Sequence, residues 1–140
     1  MIRKLENSDI NRIMDIWINT TIKAHSFVKQ EYWMENYDIV KNTYLPSSDT
    51  YIYEDNEDIK GFISVIDNEF IGALFIDYKY QGCGIGKKLI DYISSIYTKL
   101  TLTVYKDNYR AVQFYKQIGF KVIDEMCNED TKCIEYLMKK

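Results

Sequence analysis

The sequence predicts a mixed α/β domain of the α+β kind, a sheet with helices packed on its faces. Three observations carry this reading. Phe70–Ile76 is a nearly continuous apolar run, the pattern of a central strand buried on both faces. Segments with apolar residues at helical spacing are interleaved with strand-like runs along the whole chain. The glycine-rich turn Gln81-Gly82-Cys83-Gly84-Ile85-Gly86 joins the central run to one of those helical segments.

Taken in order, a short strand is expected at Ile2–Leu5, and Asn7 or Ser8 can cap the helix that follows. Ile10, Ile13, Met14, Trp17 and Ile18 fall on one face of that helix. A second helix is expected over Gln30–Asn42, ending before Pro46, the only proline. Thr50–Glu54 and Lys60–Ile66 read as strands joined by the acidic turn Asp55-Asn56-Glu57-Asp58, and Asp67-Asn68 turns the chain into Phe70–Ile76. Ile85, Leu89, Ile90, Ile93 and Ile96 mark a helix over Ile85–Tyr97. Leu100–Tyr105 alternates as a strand. Asn108 can cap a helix carrying Ala111, Phe114, Tyr115 and Ile118, which Gly119 stops. Strands near Phe120–Asp124 and Thr131–Met138 close the chain. The predicted order is β-α-α-β-β-β-α-β-α-β-β.

At 140 residues the chain suits one domain with one core, residues 1–140. No internal repeat is visible, and neither side of the Pro46 loop could bury a core alone. Hydrophobic residues are 46% and charged residues 28%, an ordinary globular balance. No apolar run reaches the ~18–20 residues of a membrane span, and the N-terminus turns polar at once, so a cytoplasmic location is expected. The net charge of −3 gives no bulk case for nucleic-acid binding. Cys83, Cys127 and Cys133 form no CxxC pair and there is one histidine, which argues against a disulfide framework or a metal site.

Gly82, Gly84 and Gly86 follow a strand and open a helix. Glycines there let backbone N–H groups approach an anion, and the helix N-terminus adds unpaired donors and the positive end of a dipole. Lys87 and Lys88 would oppose that dipole unless an anion sits beside them. For a GxG alone, a tight turn that needs glycine only for packing is the favoured reading; the place of these glycines between strand and helix shifts it towards phosphate binding. A Rossmann dinucleotide site fits less well, because the third glycine comes one residue early and the turn lies after three strands.

The segment Ala73–Gly86, with Gln81-Gly82-Cys83-Gly84-Ile85-Gly86 at its end, resembles motif A of the GNAT superfamily of N-acetyltransferases, Q/R-x-x-G-x-G/A. Asn108-Tyr109-Arg110-Ala111-Val112-Gln113-Phe114-Tyr115 through Gly119-Phe120 resembles motif B, N-x-x-A-x-x-F-Y-x-x-x-G-F. Order, separation and elements match over nearly the whole chain. Ala24-His25-Ser26-Phe27 and the wording of Ala73–Gly86 are further similar to the small YjaB-type bacterial branch. Tyr78 stands where the family often has proline. The resemblance implies a mostly antiparallel sheet of six to seven strands with helices on both faces. It implies acetyl-CoA as co-substrate, no metal, and a primary amine of a small molecule or protein as acceptor. It leaves monomer and homodimer equally open.

By resemblance, the backbone of Phe75, Ile76 and Asp77 would pair with the pantetheine, and the amides of Gln81, Gly82, Cys83, Gly84, Ile85 and Gly86, with Lys87, would hold the pyrophosphate. A backbone N–H near Ile76 would polarise the thioester. The motif-B tyrosine, Tyr115, would protonate the leaving thiolate, a role its neutral phenol suits. By spacing alone Tyr115 is a core aromatic and Asn108 a helix cap; the motif adds proton donation to the first and cofactor contact to the second. His25, Glu69, Asp67 and water all fit the part of general base, and a lone histidine is more often structural. Cys83 at the helix start has no triad partner and reads as an incidental thiol. His25, Phe27 and Trp33, with Tyr32 and Tyr37, either line an acceptor pocket or pack the core. The reading is therefore direct acetyl transfer to an amine, with a non-catalytic acyl-CoA-binding module as the alternative.

Overall fold

The computed structural model describes residues 1–140. Strand β1 (Ile2–Lys4) leads through a short 3₁₀ turn at Asn7–Asp9 into helix α1 (Ile10–Ala24). The residue that fixes this entry is Asp9, rather than the expected Asn7 or Ser8. Its carboxylate accepts the Glu6 N–H at 2.8 Å and pairs with Arg3 of β1 at 2.9 Å. Those contacts hold the Asp9 carboxyl below the usual carboxylate range.

The expected helix over Gln30–Asn42 is broken. Helix α2 spans Gln30–Glu35, and α3 is a single turn at Tyr37–Ile39 that widens into a π-helical turn at Val40–Tyr44. The break falls at Asn36, whose side-chain amide donates to the Tyr32 carbonyl at 2.7 Å, a local bond that competes with the helix ladder.

The hairpin of β2 (Asp49–Asp55) and β3 (Asp58–Ile66) turns on Asn56 and Glu57, both at positive φ. After β4 (Phe70–Ile76) come α4 (Ile85–Ser94), β5 (Thr101–Tyr105), α5 (Tyr109–Gln117), β6 (Lys121–Cys127) and β7 (Ile134–Lys139). Helix α4 ends one turn earlier than expected, and Ile96 is exposed instead of facing the core. The seven strands form one sheet in the order β1-β2-β3-β4-β5-β7-β6. Every neighbouring pair is antiparallel except β4 and β5.

Side chains alternate across this sheet and seed two cores. On one face α4 and α5 pack Leu89, Ile90, Ile93, Val112 and Tyr115 over Ile63, Val65 and Leu102. On the other, α1 packs Ile13, Met14 and Trp17 over Ile52 and Phe62. In β4, Ile71 faces the first core, and Ala73 and Phe75 pack against the second. Gly72 makes that switch: Ser64 pairs with Ala73 and Val65 with Ile71, so Gly72 is bulged out of register. Of β4 only Ile71 is fully buried, and the rest is half-buried or exposed. The run expected to be buried on both faces is apolar for a different reason, which lies in the gap beside it. No helix is long and apolar enough to cross a membrane.

Candidate active site

Strands β4 and β5 touch at one register position, Phe70 opposite Thr101, where the Thr101 N–H donates to the Glu69 carbonyl at 3.0 Å. Beyond it the strands part. The polar groups β4 turns to the gap follow from its pairing with β3. Asp77 N–H donates to Lys60 O at 2.8 Å, which marks that pair as hydrogen-bonded. Bonded and non-bonded pairs alternate along an antiparallel ladder. Phe75, opposite Phe62, therefore spends its backbone groups on β3. Leu74 and Ile76 turn theirs to the β5 side. The Ile76 carbonyl is met there by the Gln81 side-chain amide at 3.1 Å.

The gap opens into a cleft of about 820 Å³, walled by Leu74–Ile76, the C-terminal end of α1, the glycine turn and α5. The turn enters α4 through Gly84, at φ 83°, with Gly82 at φ 81°. A Cβ at either position would meet no atom within 4 Å, so their requirement is backbone conformation and open access. Gly86 differs. A Cβ there would stand 3.1 Å from the Phe114 ring, so this glycine lets α4 pack against α5. The first N–H groups of the 10-residue α4 have no helical partner and open toward the cleft. Lys23, Lys87 and Arg110 line the same walls. This set fits an anionic chain: free strand edge, open glycine backbone, helix N-terminus and three cations.

Helix α5 supplies the opposite wall. Asn108 caps it, its Oδ1 accepting from Ala111 N–H at 3.4 Å. Tyr115 lies two turns along on the same side, packed against Phe114 and Phe120 with centroids 5.2 and 5.5 Å away. Its ring belongs to the core while its edge lines the cleft. Burial pushes its phenol well above the ordinary tyrosine value, so it carries its proton at neutral pH.

Sequence comparison decides what this cleft belongs to. Residues 18–137 match the model of the acetyltransferase (GNAT) domain. The chain belongs to the GNAT acetyltransferase family. It is 30% identical to the peptidyl-lysine N-acetyltransferase YiaC of Escherichia coli K12 over 138 residues, 99% of this chain and 94% of that protein. It is 31% identical to the peptidyl-lysine N-acetyltransferase YjaB of the same strain over 121 residues, 86% of this chain and 82% of that one. The solution structure of apo YjaB superposes with a TM-score of 0.86 at 28% identity, covering 99% and 95% of the two chains. A Thermoplasma acidophilum PaiA N-acetyltransferase, solved with coenzyme A, shares the fold with a TM-score of 0.83 at 19% identity over 100% of this chain and 97% of that one.

Within this GNAT domain the fold brings most of the sequence-predicted residues together. Ile76, Gln81, Gly82, Gly84, Ile85, Gly86, Lys87, Asn108, Tyr115 and His25 all line the cleft. Two corrections concern β4. Asp77 has no free backbone group: its N–H goes to Lys60 and its carbonyl accepts from Tyr80, while its carboxylate pairs with Arg12 at 2.7 Å. Phe75 lines the cleft, but its backbone is committed to β3 and its ring packs at a tilt on Phe62 on the α1 side. The gap-facing residue that motif reading missed is Leu74, because only the strand register reveals it. Ile85 contributes its N–H alone, its side chain being buried in the core. Lys87 pairs with Asp91 at 2.9 Å on the surface. Cys83 is exposed at the turn. Arg110, also missed, donates to Gln81 Oε1 at 3.2 Å and so ties α5 to the turn.

The residues expected at the acceptor form an aromatic cluster with mostly edge-to-face contacts. His25 lies 5.0 Å from Trp33, 5.7 Å from Phe27 and 5.2 Å from Tyr105 between ring centroids. Trp33 and Tyr37 also pack on Trp17, which makes them core residues as well. Tyr105, at the end of β5, carried no motif signal. Asp67 and Glu69 sit in the β3–β4 hairpin turn, away from the cleft residues of β4.

Proposed function

We propose that this chain transfers the acetyl group of acetyl-CoA to the ε-amine of lysine in a peptide, by direct attack of the amine on the thioester. The single observation that carries the reading is the parting of β4 from β5 beside the Leu74 backbone groups and the Ile76 N–H, none of them spent on β3, at the mouth of an open glycine turn. A pantetheine arm carries two amides and asks for such an edge, and the pyrophosphate asks for such a turn. The identity to two peptidyl-lysine N-acetyltransferases over most of their length supports the acceptor class.

In this reading the Leu74 and Ile76 amides bind the donor, and the Leu74 N–H polarises its thioester carbonyl. The N–H groups of Gly84, Ile85 and Gly86, with Lys23, Lys87 and Arg110, hold the phosphates. Asn108 contacts the donor from α5. Tyr115 gives its proton to the sulfur as the C–S bond breaks, and the proton shed by the attacking nitrogen restores the phenol, so coenzyme A leaves as a neutral thiol.

The test is a free-thiol release assay with acetyl-CoA and a lysine peptide, run on the parent protein and on Tyr115→Phe. The phenylalanine keeps the ring and its packing. The kcat is expected to fall by ~10²–10⁴, the usual contribution of a positioned acid, with donor affinity little changed. Lower affinity with kcat preserved would give the hydroxyl a binding role only. An unchanged kcat in a parent that turns over would leave Tyr115 a core aromatic. No peptide-dependent thiol release from the parent would favour a donor-binding module over an enzyme.

A further inference from the structure

His25 and Asn108 are 83 positions apart in sequence and meet in the wall of the cleft. The imidazole ends α1, is 8% exposed and is sandwiched among Phe27, Trp33 and Tyr105. Its hydrogen bonds favour one tautomer. Nδ1 lies 2.8 Å from the Thr21 carbonyl, which can only accept, and 3.1 Å from the Thr21 hydroxyl, which can accept as well as donate, so a proton on Nδ1 suits both contacts. Nε2 is left with a lone pair, and 3.4 Å away is Nδ2 of Asn108, which can only donate. The other end of that amide, Oδ1, accepts the Ala111 N–H and caps α5. The chain of donors and acceptors runs one way, from Asn108 through His25 to Thr21.

We propose that His25 is a positioning residue for the donor site, its Nε2 lone pair holding the Asn108 amide in the one orientation that caps α5 and faces the cleft, and that protonating His25 releases it. This deepens the reading of the cleft as the acetyl-CoA site and rests on it. With a proton on Nε2, imidazolium N–H would face amide N–H₂. Turning the amide over to relieve that contact puts Nδ2 against the Ala111 N–H and loses the cap. The first turn of α5, and Tyr115 two turns along, then lose their anchor. Burial lowers the His25 pKa, so the clamp is set at neutral pH and released only in acid. Among the rings in contact only Tyr105 titrates, and burial pushes it up to about 12, so it stays neutral. Lys23, Lys87, Asp107 and Arg110 are the charged groups that line the cleft, and none of them bonds the imidazole.

His25 is the only histidine, so its ring nitrogens give one assignable pair of ¹⁵N NMR signals. The expected signature is a protonated Nδ1 and a bare Nε2, titrating below the ordinary ~6.5 of histidine. Coenzyme A affinity is then measured by titration calorimetry at about pH 8 and about pH 5 for the parent, His25→Leu and His25→Gln. The parent is expected to lose about tenfold in affinity on acidification, the scale of one ordered hydrogen bond in a binding site. His25→Leu should show that loss already at the higher pH. Glutamine offers an acceptor near the Nε2 position and does not titrate, so His25→Gln should restore most of the affinity and remove the histidine part of the acid loss. Titration of the coenzyme's own phosphates is common to all three proteins and cancels. A protonated Nε2, a leucine variant that binds like the parent, or a glutamine variant with the parent's full acid loss would overturn the proposal. A parent that binds no coenzyme A at either pH would overturn the donor site itself.

Discussion

Gly84 is where the proposed donor site rests most on one residue. It stands at φ 83° at the start of α4, a conformation a β-branched residue resists, and it presents the open backbone that phosphate would approach. Gly84→Val is expected to weaken coenzyme A binding at least tenfold in a protein that still melts cooperatively, because the added carbon meets no core atom. Calorimetric affinity checks it, and a folded variant with parental affinity would leave this glycine a role in turn conformation alone. Gly86 is the contrast, since its space is filled by Phe114. At this scale the sequence was legible for side-chain placement: Tyr115, Asn108 and the glycines of the turn all line the cleft. It was not legible where a backbone group matters. Whether Leu74 or Phe75 offers its amide to the cleft depends on the register with β3, and the Gly72 bulge shifts that register without any signature that one sequence displays.

Between elements, one arginine fastens α1 to β3 and to the end of β4. Arg12 of α1 donates to Asp77 at 2.7 Å, to the Ile59 carbonyl at 2.9 Å and to Asp58 at 3.4 Å, joining α1 to β3 and to the end of β4. Burial alone would raise the Asp77 carboxyl, but the Arg12 bonds and the Lys79 N–H outweigh it and hold it below its ordinary range. With the folded pKa depressed, the unfolded chain binds the proton more readily. The pair therefore adds stability above the ordinary carboxylate pKa of ~3.9 and loses it as pH falls through the folded value. Arg12→Ala should cost about 1–2 kcal/mol at neutral pH and flatten part of the acid limb of stability, as read by urea unfolding at several pH values. A variant with unchanged stability at neutral pH would make the pair a surface contact. Element types and order were legible from apolar periodicity. Breaks were not: the Asn36 interruption and the π-helical turn at Val40–Tyr44 come from side-chain bonds and packing that periodicity does not encode.

At the scale of the molecule, one sheet with two cores is pried apart where its single parallel junction begins. That opening explains why an apolar run such as Phe70–Ile76 is half-exposed: Leu74 and Ile76 are apolar to line a channel, while Ile71 is apolar to fill a core. A strand pattern read from sequence does not separate those two uses. Family motifs made the cleft legible, since they fix the turn and α5; the ring cluster around His25 has no such motif and became visible only when α1, α2 and β5 met. The most direct measurement is the thermal midpoint of the purified protein with acetyl-CoA and, separately, with NAD. A ligand at about 100 times its Kd adds ~2.7 kcal/mol, roughly 8–12 °C for a chain of this size. The account predicts that rise with acetyl-CoA and none with NAD; an unmoved midpoint at saturating acetyl-CoA would contradict it.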